Sequence, residues 1–423
     1  MDYQNKVAHF LAELNMAPDC IDFEASSEAF LLDMELGLKK EPSSVKMIPT
    51  YLSASGSTEV KKPIAVIDAG GTNFRTCLVT YDDNSRATEH LTINRMPGSD
   101  GHAITWNDFI SHAAASVSPL LEHTDRIGFC FSYPTFMLPD GDGILLELTK
   151  QVKISGFEGR QICRDLKLKL RELGYDNIHI VLLNDTPAVL LSAVGADATV
   201  GEIGLVGLIS GTGTNVSCIL PTSSLREFGE YSKETMLINT ESGGFSGLNR
   251  GEIDFELDSN TSDPGAYLYE KMTSGAYLGE LCRLLLIKAV NCVLISPLTC
   301  DKYNEKYSLD SKAADLICRG EIKLGTEADT NIAKLLCTAV FDRAARCVCS
   351  NIAAVVKLLN KKSVCDNLLV SADGSVFRNS YVFNTKLIEY SDFYLGNALG
   401  CKVKYVSYEN STIFGTAVAA LLN

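Results

Sequence analysis

The chain has 423 residues, 46% of them hydrophobic and 21% charged. That is the composition of an ordinary globular protein, at a length beyond what one hydrophobic core supports, so two domains are expected. The 38 Lys and Arg against 52 Asp and Glu leave a net charge of −14, which argues against a nucleic-acid partner or an anionic membrane surface, since either needs a basic footprint.

Residues 3–16 carry Val7, Phe10, Leu11 and Leu14 at the spacing of one helical face, predicting a helix docked on the body. No signal-peptide pattern is read at the N-terminus, and no apolar run approaches the ~18 residues that span a bilayer. Residues 41–62 mix Pro, Ser, Gly and Lys and read as an extended connector. Residues 64–81 give a strand, a tight turn and a second strand, with Asp68, Gly70, Gly71, Thr72, Asn73 and Arg75 around the turn. A helix is predicted from Trp106, with Thr105 as cap, to about Glu122. A strand over 126–133 ends in Ser132-Tyr-Pro, and the turn-rich 139–143 leads on to Thr149-Lys150. A charged amphipathic helix covers 159–173, and a buried strand over 178–183 ends at Asn184-Asp185. The hairpin pattern then returns at 206–220, with Ser210-Gly211-Thr212-Gly213-Thr214-Asn215 at its turn. Helical patterns cover 265–294, 311–318, 328–359 and 412–422, with strands at 367–370 and 403–406. Alternating strands and helices indicate an α/β protein.

The fourteen cysteines are scattered, often inside apolar runs, with no CxxC pair. They read as reduced, buried hydrophobes in a reducing compartment, and the expected location is cytoplasmic. The Asn-x-Ser/Thr matches at Asn215, Asn260 and Asn410 are then not glycosylated. All six histidines precede the second hairpin and none adjoins a candidate nucleophile, so Ser-His-Asp hydrolysis and phosphohistidine transfer are poorly supported. No metal-spaced Cys/His cluster is present, and the lone Trp106 reads as a core anchor.

In the first hairpin Asp68 ends a buried strand, while Gly70 and Gly71 let backbone N–H groups approach an anion. Thr72 and Asn73 add short donors and Arg75 a cation. It is neither a Walker loop nor a dinucleotide fingerprint, because no Gly-Lys-Ser/Thr or Gly-x-Gly-x-x-Gly stands there. The second hairpin lacks charge and can only cradle, through the hydroxyls of Ser210, Thr212 and Thr214 and the close approach allowed by Gly211 and Gly213. Two such hairpins face to face can hold a nucleotide's phosphates between two lobes, which points to phosphoryl transfer. An unpaired carboxylate at the end of a buried strand is costly, so Asp185 binds a cation or serves as a base near a cleft; capping of the following helix is the structural alternative. No spacing rule singles out Lys150, Asn239, Glu241 or Glu270.

Taken together these segments resemble the hexokinase/glucokinase family with eukaryotic-type motifs, within the actin-like ATPase superfamily. Asp68-Ala-Gly-Gly-Thr-Asn-Phe-Arg75 resembles its first phosphate motif and Ser210–Asn215 its second. Phe131-Ser-Tyr-Pro134, with Gly143 through Thr149-Lys150, resembles the sugar signature, and Asn184-Asp185-Thr186 the segment carrying the catalytic Asp. Asn239-x-Glu241 and Tyr269-Glu270-Lys271 are similar to the remaining sugar contacts, Ser371 to Ser375 to the adenosine-side loop, and Gly415-Thr-Ala-Val to the start of the last helix. These motifs run in family order from about residue 60 to 420. The chain departs from the pattern at Leu148-Thr-Lys-Gln-Val152, where Trp-Thr-Lys-Gly-Phe is usual, and at Ser242-Gly243, where Trp-Gly is usual. Thr135 and Met137 likewise replace a Cys and a Gln. All of these border the sugar pocket. The repressor-related bacterial sugar kinases are disfavoured, since their zinc-binding Cys cluster is missing.

The resemblance implies a two-lobed actin-like ATPase (ribonuclease H-like) α/β fold with a central cleft. Residues 1–60 would pack on the large domain. The small domain would span 61–187, completed by 412–423, and the large domain 188–411. The implied reaction is ATP-dependent phosphorylation of a hexose, glucose first, at its 6-hydroxyl, with Asp185 as general base and Lys150 stabilising the transferring group. Ser132, Thr149, Lys150, Asn184, Asp185, Asn239, Glu241 and Glu270 would hold the sugar. Asp68, Gly70, Gly71, Thr72, Asn73, Arg75, Gly211, Thr212, Gly213, Thr214, Gly374 and Ser375 would hold ATP. Mg²⁺ would be held through water near Asp68 and Asp185, with no direct protein ligand. The expected state is monomer or homodimer. Two rivals stand beside this reading: a non-catalytic hexose sensor on the same fold, and an actin-like nucleotide-dependent scaffold.

Overall fold

The computed structural model describes residues 3–55, 62–82, 85–148, 152–194, 204–229, 231–300, 302–361 and 365–423. Its strands are β1 (Ile48–Pro49), β2 (Ile64–Ala69), β3 (Asn73–Asp82), β4 (Ser85–Arg95), β5 (Ile104–Thr105), β6 (Arg126–Phe131), β7 (Thr135–Met137), β8 (Gly143–Leu145), β9 (Ile154–Ser155), β10 (His179–Leu183), β11 (Gly204–Ser210), β12 (Thr214–Pro221), β13 (Thr235–Asn239), β14 (Asn367–Asp373) and β15 (Lys402–Val406). Its α-helices are α1 (Tyr3–Glu13), α2 (Phe23–Leu38), α3 (Trp106–Val117), α4 (Ile162–Glu172), α5 (Asp185–Leu191), α6 (Glu252–Ser259), α7 (Leu268–Thr273), α8 (Leu278–Asn291), α9 (Ser311–Arg319), α10 (Glu327–Asn360), α11 (Ser375–Asn379), α12 (Tyr381–Tyr390) and α13 (Ser411–Leu422).

The two large sheets share one plan. The first runs β10-β6-β2-β3-β4 and the second β15-β14-β11-β12-β13, with β1 added beyond β13. In each, a hairpin opens an antiparallel three-strand meander, and two later strands join parallel to its first strand. The repeated hairpin in the sequence is the visible trace of this doubled topology.

Both faces of the first sheet are covered, so β2 is buried at all six positions. Ala65, Ile67 and Ala69 face a core shared with α3 and α4, while Ile64 and Val66 face one shared with α5 and α13, the alternation that a strand imposes. The two helices between the sheets trade places. Helix α5 follows β10 of the first sheet yet lies on β11, β12 and β14 of the second, while α13 follows β15 of the second yet lies on β2, β6 and β10 of the first. The outer face of the second sheet carries the largest core, with α1, α2, α8, α9 and the 34-residue α10. Helix α10 starts on a capping box in which Thr326 and Asp329 satisfy each other's backbone amides.

Several elements differ from the sequence expectations. The helical run over 265–294 is two helices, broken at 274–277, where the Gly275 amide turns aside to donate to the Gly211 carbonyl at 2.6 Å. Helix α2 was not anticipated, although Asp22 caps it through a 2.7 Å bond from the Ala25 amide. Edge strand β4 was also missed, since its polar, largely exposed side chains leave no apolar alternation to read. The helical pattern of 381–398 went unread as well. Trp106 is a core residue as expected, its indole N–H donating to Asp165 at 2.8 Å. All fourteen cysteines are free, and twelve are buried. Among the described residues no helix is long and apolar enough to cross a membrane.

Candidate active site

Four adjacent strands, β10, β6, β2 and β3, bring the charged residues together. In the first sheet Asp68 pairs in register with Cys130 on one side and Arg75 on the other, and Cys130 in turn with Leu183, two residues before Asp185. Burial, and then the charges of Asp68 and Asp185, push the Cys130 thiol well above its ordinary range. Asp68 is itself buried and forms an ion pair with Arg75. The Thr412 hydroxyl donates to Asp68 Oδ2 at 2.9 Å and accepts from Arg75 Nη2 at 3.1 Å. Arg75, expected to reach a phosphate, therefore neutralises Asp68 here.

Asn184, not Asp185, is the N-cap of α5: its side chain accepts from the Thr186 amide at 3.3 Å. Asp185 is the first helical residue, and its Oδ1 accepts the Thr186 hydroxyl at 3.2 Å. Thr186 and the following four residues are fully buried, so the core fixes the direction in which the helix start points.

Across from this sits the other lobe. Asn239 ends β13 and donates to Glu241 Oε1 at 2.6 Å. Asn215, the second residue of β12, donates to Asn239 Oδ1 at 2.7 Å and accepts from the Ser242 amide at 3.1 Å. Glu241 lies in the left-handed backbone region, at φ of +53°, a strained conformation common at functional sites. Glu270 Oε2 accepts the Thr214 amide at 3.1 Å, which fixes it to the second hairpin. A small pocket of about 20 Å³ opens between the lobes, lined by Phe131, Tyr133, Asn184, Asn239 and Glu241 among others. Burial raises the Tyr133 phenol, whose hydroxyl donates to the Gly70 carbonyl at 2.9 Å. Thr135 and Met137, two of the departures from the family pattern, also line this cavity.

Of the expected sugar contacts, Asn184, Asn239 and Glu241 line that cavity; Ser132 lies between two lining residues, Asp185 follows one, and Glu270 stands behind the second hairpin. Thr149 and Lys150 lie outside the described residues.

The start of α13 reaches the first hairpin and the end of β14. Thr412 holds Asp68, and the adjacent Ser411 donates to Asp373. Asp373 precedes Gly374, whose φ of +109° and close approach exclude a side chain: a Cβ there would lie 2.3 Å from the Ser210 carbonyl. Gly211 in turn stacks its backbone on Gly374 and Ser375. Both hairpins thus converge on one loop. Thr72, Asn73 and Thr212 are exposed at the two turns, while the buried hydroxyls of Ser210, Thr214 and Ser274 have no hydrogen-bond partner among the described residues. Among the described residues no group of three or more His, Cys, Asp or Glu could hold a metal ion.

Family models described as hexokinase match residues 6–194 and 205–422, together nearly the whole chain. The chain belongs to the hexokinase family. It is a hexose kinase, and ATP-dependent phosphorylation of a hexose is the reaction of that family. It is 26% identical over 426 residues to hexokinase-1 of Schizosaccharomyces pombe, covering 94% of this chain and 86% of that protein. Identity to human hexokinase-2 is 30% over 453 residues, covering 99% of this chain but 48% of the human protein, so the chain spans about half of that relative. In fold it is similar to a hexokinase from Schistosoma mansoni complexed with glucose, with a TM-score of 0.80, 24% identity and 99% of each chain covered. That likeness shows the two-lobed actin-like sugar-kinase fold.

Proposed function

We propose that this hexokinase phosphorylates glucose at its 6-hydroxyl, with Asp185 as the general base. The observation that supports the reading is that Asn184, the cap of α5 and the neighbour of Asp185, faces Asn239 and Glu241 across one inter-lobe pocket. A carboxylate fixed at a helix start and opposite a set of polar side chains can accept the proton of a bound hydroxyl. Ser132, Thr149, Lys150, Asn184, Asn239, Glu241 and Glu270 orient the sugar, and Lys150 stabilises the charge of the transferring group. The first hairpin (Asp68, Gly70, Gly71, Thr72, Asn73, Arg75), the second (Gly211, Thr212, Gly213, Thr214) and Gly374-Ser375 cradle ATP through backbone amides and hydroxyls. Asp68 and Asp185 would hold Mg²⁺ through water, and the ion would supply neutralisation of the phosphate charge. Positioning and electrostatics dominate phosphoryl transfer, which suits residues held by two sheets. We take the moving bodies to be 61–187 with 412–423, and 188–411 with the N-terminal 1–60 docked on it. The free cysteines support a reducing, cytoplasmic setting, and the chain acts as a monomer or homodimer.

The test is ADP release with Mg-ATP against a panel of hexoses, for the natural chain and Asp185→Ala. The variant should lose roughly 10²–10⁴-fold in turnover and keep sugar binding by calorimetry. Near-normal turnover would remove Asp185 as the base, and sugar binding without turnover in the natural chain would favour the sensor.

A further inference from the structure

The segment leaving β8 is tied closely to the first lobe. The Leu146 amide donates to the Pro134 carbonyl at 2.9 Å, and the Ser132 amide to the Ala69 carbonyl at 3.1 Å. Glu147 therefore follows directly from the backbone that carries Ser132 and Tyr133. It is exposed, yet its Oε1 accepts a 3.0 Å hydrogen bond from the phenol of Tyr267, 120 residues further along the chain. Tyr267 belongs to the other lobe. It immediately precedes α7 and stands three residues before Glu270.

Two further features mark this tyrosine. Its φ is +51°, so a bulky aromatic residue occupies the left-handed region, a conformation that persists only where surrounding contacts over-determine it. Its phenol also lies within the electrostatic reach of three carboxylates: burial raises it first, and the charges of Glu147, Glu241 and Glu270 raise it further. It thus stays a neutral donor at any physiological pH, while Glu241 and Glu270 are the carboxylates assigned above to the sugar.

We propose that Tyr267 is a positioning residue for the hexose: its hydroxyl clasps Glu147 across the mouth of the cleft and so holds the Ser132-Tyr133 side of the sugar site in register with Glu241 and Glu270. The inference rests on the hexose-kinase reading of the cleft. The clasp joins the two walls assigned to the sugar, so its loss falls on sugar affinity more than on ATP. Because the hydrogen bond joins a phenol to an exposed carboxylate, its contribution is that of one charge-assisted bond discounted for solvent.

The experiment is a double-mutant cycle of Tyr267→Phe, which keeps the ring and deletes the hydroxyl, with Glu147→Ala. Glucose binding is read by calorimetry without nucleotide, and KM and kcat by ADP release. Tyr267→Phe is expected to raise the glucose Kd and KM about fivefold, with ATP KM within about twofold and an unchanged melting temperature. The double variant should be no worse than the worse single one. Unaltered glucose affinity in Tyr267→Phe, or losses that simply multiply in the double variant, overturns the clasp while leaving the kinase reading in place. If the natural chain binds no hexose at all, the reading of the cleft fails and the clasp fails with it.

Discussion

Asp68 illustrates what a buried charge requires. Its carboxylate is 3% exposed as a residue, and a carboxylate at that depth persists only when paired and hydrogen-bonded. Arg75 supplies the charge from the next strand, and Thr412, 344 residues away, supplies the hydroxyl that sits against both. Thr412→Val keeps the shape and removes that hydroxyl. It should cost about 1–2 kcal/mol in urea unfolding, because a buried acceptor loses its partner, and should lower turnover by loosening Asp68. A variant as stable and active as the natural chain would show that Arg75 alone suffices. Asn215 carries the same lesson. In sequence it is one more residue of a Gly/Thr turn; in the fold it bonds Asn239 and the Ser242 amide, joining the second hairpin to the end of β13. The one signal that pointed to it was the repetition of Thr-Asn at the same place in both hairpins, Asn73 and Asn215.

At the level of elements, the crossing of α5 and α13 joins the two sheets. The helices approach so closely at Gly415 that a Cβ there would lie 1.6 Å from the Ala188 carbonyl oxygen. Backbone oxygen cannot move aside as a flexible side chain can, so Gly415→Ala must spread the helices. Overpacking of this kind costs about 3 kcal/mol, and denaturant titration should show that loss or a failure to fold. Wild-type-like stability would mean that the two helices slide freely past each other. The crossing also carries chemistry: α5 begins at Asp185, and α13 begins at Ser411 and Thr412, which hold Asp373 and Asp68. A shift of the crossing therefore moves the proposed base and both phosphate loops together.

For the whole molecule, the cleft lies between two bodies of the same topology that touch through these helices, the β1 connector and the Tyr267–Glu147 bond. Sugar that contacts both walls should draw them together and exclude water that would otherwise compete for the phosphoryl group. Small-angle scattering is expected to show a smaller radius of gyration with saturating glucose than without. An identical profile in the two conditions would count against closure and against the division into moving bodies proposed above.

The sequence by itself determined the α/β class, both hairpins, the buried strands and the order of the motifs, because these depend on local period and on turn residues that act within a few positions. Apolar runs such as Ile64–Ala69 read as buried since every position is in fact covered. Capping was only half legible: Asn184 and Asp185 are both cap formers, and which takes the cap depends on how β10 feeds α5. Polar edge strand β4 stayed unread because nothing covers its outer face, so no apolar alternation was needed there. The tertiary structure alone decided which distant groups meet. Thr412 on Asp68, Ser411 on Asp373 and Tyr267 on Glu147 join positions 38 to 344 residues apart. Such pairings arise from the exchange of α5 and α13 between the sheets and from the facing of the two lobes, and no local periodicity encodes either.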